Sequence, residues 1–86
     1  MKLQAIAPNQ TQVTLSDGTV VFFSYNTPVA AKVRHEHLDT LHSYSYSYEY
    51  IRTDKRWSVT TSKHINQWLA GANARTVPQS ELDNLV

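Results

Sequence analysis

The sequence predicts an α+β fold: a mainly antiparallel sheet of about four strands, one short amphipathic helix packed on it, and a short C-terminal helical turn. Three observations carry this. Asp17-Gly18 stands between two runs of strand-forming residues, TQVTLS and TVVFFSY. The stretch SYSYSYEY at 43–50 has a period of two, and Ile65, Trp68 and Leu69 recur at i, i+3 and i+4. Alternation marks an extended chain and the second spacing marks one face of a helix.

In chain order, Asp17-Gly18 favours a two-residue type I′ turn, which would place Leu15 opposite Val20 and Val13 opposite Phe22. Val13, Leu15, Val20 and Phe22 then share one face, and Thr14, Val21, Phe23 and Tyr25 the other. Because both faces of the second run are apolar, that strand is expected to be central and covered on both sides. Val29–Val33 follows as a short third strand after Pro28, and RHEHLDTLH from Arg34 to His42 reads as an irregular excursion. The extended period then runs from Ser43 toward Val59, longer than most strands, so a projecting hairpin or a bend near Thr53-Asp54-Lys55 is expected. Thr60, Thr61 and Ser62 are N-cap candidates for the helix, with Gly71 at its C′ position. Thr76-Val77 adds a brief extended piece, and Pro78 opens the terminal turn.

Eighty-six residues allow one domain with one modest core, since a chain this short buries only ~60–65% of its unfolded surface. Within it, residues about 34–47 are expected to form a hairpin or loop excursion. A 41% apolar and 17% charged composition is that of a soluble globule. The absence of cysteine excludes disulfides, thiolate metal sites and a cysteine nucleophile. MKLQAIAPNQ lacks the apolar segment of a signal peptide and no run is long enough to span a bilayer, so a cytoplasmic protein with no membrane partner is expected. Net charge is +1, but Arg52, Lys55, Arg56, Lys63 and Arg75 face the single acid Asp54 within residues 52–75. Such an excess could attract a polyanion or acidic protein, or could be a solvated face.

Two strings, DGTVVFFSYNTPVAA from Asp17 and YIRTDKRWSVTTSKHINQWL from Tyr50, resemble a family of small uncharacterised proteins encoded by tailed bacteriophages and their prophages. Relatives in that family have a shorter connection where this chain has residues 34–47. The resemblance supplies no catalytic motif. It implies a phage protein made in the bacterial cytoplasm, a setting in which small non-enzymatic proteins commonly bind host complexes, including immune complexes.

His35-Glu36-His37 with His42 nearby offers alternate imidazoles but falls short of a zinc site, which needs three or four ligands, so no metal is assigned. The serines lack a GxSxG elbow, the carboxylates are scattered and the only glycines are Gly18 and Gly71, so no catalytic residue, enzyme activity or cofactor is expected. Tyr44, Tyr46, Tyr48 and Tyr50 share one face of an extended strand, continued by Arg52, with Ile51 and Trp57 on the opposite face, both expected in the core under the helix. With Ile51 under the helix, the tyrosines point away from it, as a protein-binding surface or as packing beside Phe23 and Tyr25. Arg52, Lys55, Arg56 and Lys63 are the candidate nucleic-acid or anion-binding residues. The leading expectation is a non-enzymatic protein that binds a host or phage protein and interferes with a host process; a homodimer through the hairpin or a strand edge is a second partner. Single-stranded nucleic-acid binding and sequestration of a small anionic or nucleotide ligand between protomers are the alternatives.

Overall fold

The computed structural model describes residues 2–38 and 44–86. His42 and Ser43, part of the predicted excursion, lie outside them. The architecture is α+β, with a six-stranded sheet in the order β1-β2-β3-β4-β5-β6 rather than about four strands. The strands are β1 (Lys2–Ala7), β2 (Gln10–Thr14), β3 (Val20–Ser24), β4 (Thr27–Leu38), β5 (Tyr44–Thr53) and β6 (Ala74–Val77); α1 spans Val59–Leu69 and α2 Gln79–Asp83. The first five strands form an antiparallel meander, while β6 runs parallel to β5. A parallel neighbour requires a crossover, and α1 supplies it.

The two additional strands lie at the sheet's edges. β1 pairs with β2 through a two-residue loop, Pro8-Asn9, with Asn9 at φ 62°. Proline followed by a residue of positive φ is the signature of a type II turn. Arg75 in β6 donates to Glu49 Oε1 at 2.8 Å, and this hydrogen bond holds the Glu49 carboxyl below its ordinary range.

The β2–β3 turn differs from expectation by one residue. Val13 pairs with Val21 and Thr14 with Val20, because the loop contains Ser16, Asp17 and Gly18 rather than two residues. Gly18 adopts φ 91°, Leu15 N–H donates to Thr19 O at 2.8 Å, and the Asp17 carboxylate accepts from Thr19 N–H. This is the three-residue hairpin that closes with a left-handed glycine. The slip exchanges partners between faces: Val13, Leu15, Val21 and Phe23 now lie together, and Phe22 faces the other way.

Central β3 is covered on both sides, as its apolar faces predict. On one face Phe22, Val29, Ala30, Ile65 and Leu69 form a cluster under α1; on the other, Val21, Ala31, Ile51, Val77 and Leu82 form a second under α2. Val29 joins Ala30 because it is the extra residue of a bulge between the Phe22↔Ala30 and Phe23↔Pro28 pairs, which breaks the alternation of faces there. The C-terminal turn thus does more than end the chain, since Leu82 is fully buried. Gln79 fastens it: its amide donates to Pro28 O at 2.6 Å and to Asp83, while its Oε1 accepts from Thr53 Oγ1 and Trp57 Nε1. No helix among the described residues is long and apolar enough to cross a membrane.

Helix α1 is capped by Ser58, two residues before the predicted candidates; its hydroxyl accepts from Thr61 N–H at 3.0 Å. Thr61 is turned toward the sheet and buried. At the other end Ala70 has φ 50° and Gly71, at C′, has φ 86°. Trp68 stacks on Phe22 with centroids 5.1 Å apart and donates its Nε1–H to Gln12 Oε1. Trp68→Ala is therefore expected to lower stability by about 3 kcal/mol, measured by urea unfolding, through loss of the stack and a cavity over Phe22.

Candidate functional site

Strand β4 continues through the predicted excursion to Leu38, and its pairing with β5 is unbroken from Ala30↔Arg52 to Leu38↔Tyr44. The hairpin outruns the helices and makes the molecule 47 Å long against 24 Å in its other dimensions. The long extended run ends at Thr53, with a bend at Asp54-Lys55 as anticipated.

The tyrosines do not face away from α1, as expected, but lie on the same side of the sheet as α1. Ile51 packs beneath α2 instead, so the alternate residues of β5 face α1. Trp57, expected in the core with Ile51, is 41% exposed, because β5 ends at Thr53 and the strand alternation does not reach it. Tyr50 meets Trp68 edge-on at 6.0 Å and is partly buried. Tyr48 and Tyr46 lie on the stretch of hairpin beyond it, 51% and 54% exposed. Tyr44 occupies the next alternate register position, opposite Leu38.

Two cations not singled out in the sequence complete this face. Lys32 Nζ lies 4.3 Å from the Tyr48 centroid and 5.9 Å from that of Tyr50, and the Arg34 guanidinium lies 3.9 Å from Tyr46. Rings and cations therefore alternate along the hairpin. Arg34 is also held from behind: its NH1 donates to Asp17 O at 3.2 Å, NH2 is 3.9 Å from Glu36, and its Cδ rests where a Cβ on Gly18 would come within 2.7 Å. At the root of the row, Gln12, Val20, Lys32, Tyr50 and Trp68 line a hollow of about 220 Å³. Lys32 and Arg34 alternate in the sequence as the tyrosines do, but only the β4–β5 register sets them beside the rings.

The four predicted basic residues are only partly brought together. Arg52, Lys55 and Arg56 line one hollow of about 240 Å³ beside α1, and Lys63 stands exposed on the helix, outside that lining. Arg75, also counted in the basic segment, is paired with Glu49.

His35 and His37 alternate with the tyrosine-facing side chains and so occupy the opposite face from Glu36; His37 Nε2 is 2.8 Å from Ser47 Oγ. Among the described residues no group of three metal-ligating side chains comes together. A serine–histidine contact does form, unforeseen from sequence: Ser24 Oγ lies 2.9 Å from His64 Nδ1 and 3.2 Å from Thr61 Oγ1. Ser24 is only 2% exposed, so the hydroxyl is engaged as a tie between β3 and α1. The two residues are 40 positions apart, and no local signal joins them.

The chain belongs to a family of unknown function, DUF8033, whose match covers residues 1–84. No curated protein and no solved structure matches it.

Gly18→Ala should cost about 1–2 kcal/mol, because alanine is strained at positive φ and its methyl would push Arg34 aside. The displacement is checked by NMR, as a change in the Tyr46 ring resonances once the guanidinium leaves the ring. Added zinc should leave the thermal midpoint unchanged, since only a ligand that binds the folded state raises it. A zinc-dependent rise in a melting scan would instead make His35 and His37 ligands.

Proposed function

We propose that this DUF8033-family chain is a non-enzymatic binding protein whose β4–β5 hairpin engages a protein partner through Tyr46 and Tyr48. The observation that carries this reading is the exposure of two large aromatic side chains, 51% and 54%, on a hairpin that projects beyond the core. Tyrosine combines wide apolar contact with a polar tip and few rotatable bonds, which suits a protein interface. Lys32 and Arg34 hold the rings in place, so little side-chain freedom remains to be lost on binding. Arg34 is paired with Glu36, and Lys32, which has no acid within ion-pair distance among the described residues, leaves the face with one positive charge that favours an acidic group on the partner. The hollow beside Lys32 and Trp68 is of a size to receive one partner side chain.

A protein is favoured over a nucleic-acid strand by the state of the cations. Arg34 already donates to Asp17 O and lies against Glu36 and Tyr46, so its guanidinium is engaged within the fold rather than held out for phosphates. The phage setting implied by the sequence resemblance makes a bacterial host complex, including an immune complex, the partner class we propose, and interference with that complex the role.

Tyr46→Ser with Tyr48→Ser should leave the thermal midpoint within a few degrees of wild type, because neither ring belongs to the two buried clusters. Loss of one true aromatic anchor costs ~2 kcal/mol, so a partner recovered with wild type should bind the double variant about thirtyfold more weakly. Equal recovery and equal affinity would remove the interface from this face. Raising salt should weaken a protein contact less than about tenfold over a range in which several phosphate contacts lose roughly a thousandfold, and the steeper dependence would identify a nucleic acid.

A further inference from the structure

Two polar hollows lie beside α1, over the side of the sheet formed by β5 and β6, of about 240 Å³ and 360 Å³, with Arg52 as the wall between them. Lys55, Arg56 and Ser62 line the first; Asn66 and Asn73 line the second. From this arrangement we infer that the two hollows are a binding site for a small phosphate-bearing molecule of nucleotide size, separate from the tyrosine face and independent of its function.

The electrostatics come first. Three basic residues line the first hollow against one carboxylate in its lining, Asp54, and among the described residues none of the three lies within ion-pair distance of an acid. Like charges held together repel and raise the local positive potential, which an anion of multiple charge relieves. Their settings also keep donors available. Arg52 gives one N–H, from NH1, to Asn66 Oδ1 at 3.3 Å, which orients the guanidinium toward α1 and leaves the rest of its fork. Lys55 Nζ sits 4.0 Å over the Trp57 ring, a contact that fixes the ammonium without using its N–H groups.

Shape and polarity then select the ligand class. Lys55 and Arg56 line one hollow, the carboxamides of Asn66 and Asn73, each both donor and acceptor, line the other, and Arg52 stands between them. A molecule with phosphates at one end and hydrogen-bonding ring or sugar atoms at the other matches that polarity. The larger hollow, about 360 Å³, by itself falls in the range of ~300–1,000 Å³ usual for small-ligand sites. A long strand would instead need cations spaced along a track, and here they are confined to a few residues on either side of the bend after β5.

The test is a calorimetric titration at fixed ionic strength with inorganic pyrophosphate, adenosine 5′-triphosphate and a short single-stranded DNA oligonucleotide, with backbone amide NMR to locate the response. The expected result is saturable binding of the two small anions, with shifts at residues 52–66 and 71–74. Affinity should fall at least about tenfold in Arg52→Gln/Arg56→Gln and stay at the wild-type value in Tyr46→Ser/Tyr48→Ser. Lys55→Gln/Arg56→Gln, confined to the exposed bend, carries the same expectation should replacement of Arg52 disturb folding. No binding of either small anion, binding that survives both basic-residue variants, or tighter binding of the oligonucleotide that depends on Tyr46 and Tyr48 would overturn the assignment.

Discussion

Burial of adjacent residues on opposite faces of β3 and β4 is the constraint from which the rest of this structure follows. Val21 and Phe22 point in opposite directions and both are fully buried, as are Ala30 and Ala31 opposite them. Each face must therefore be covered. Alanines on β4 leave room for a helix on either side, so α1 closes over Phe22 and α2 closes over Val21. In so small a chain this arrangement makes the terminal five-residue helix part of the core, with Leu82 fully buried and Gln79 bonded to β4, β5 and the β5–α1 connection.

The same constraint determines where the sheet remains open. The helices cover its centre, but β4 is 12 residues long and β5 is 10, longer than the helical layers require. Along one row of side chains the environment consequently changes from Tyr50, packed against Trp68, to Tyr48 and Tyr46, which lie against Lys32 and Arg34. Position along the hairpin, and not residue type, separates the tyrosine that packs from those available for contact. Arg34 also ties the hairpin to the β2–β3 turn through Gly18 and Asp17, so the projecting part is coupled to the body.

Charge is partitioned by the same topology. The five basic residues between 52 and 75 are contiguous in effect only along the chain. The crossover sends Arg75 to the edge strand beside Glu49, leaves Lys63 on exposed helix, and keeps Arg52, Lys55 and Arg56 around one hollow. The tyrosine face acquires Lys32 and Arg34 from the preceding strand instead. Two surfaces of distinct chemistry thus arise from what reads, in one dimension, as a tyrosine run followed by a basic segment.

By itself the sequence determined the α+β class, the buried central strand, the Ile65/Trp68/Leu69 stripe, the Gly71 terminus and the period-two tyrosine row, because each is encoded in local spacing or backbone preference. It did not reveal β1 as a strand, the single-residue difference in the β2–β3 register, or the face on which α1 lies. The register escaped because both faces of β3 are apolar: a hydrophobic pattern identifies register only when one face is polar, and here the geometry at Gly18 decides it. The side covered by α1 escaped because Ile51 is buried whichever helix lies above it, and only the tertiary structure shows that helix to be α2. Tertiary structure likewise joined Ser24 to His64 and set Lys32 and Arg34 against the tyrosines, since contacts between separate strands and helices depend on pairing over distances that local spacing does not encode.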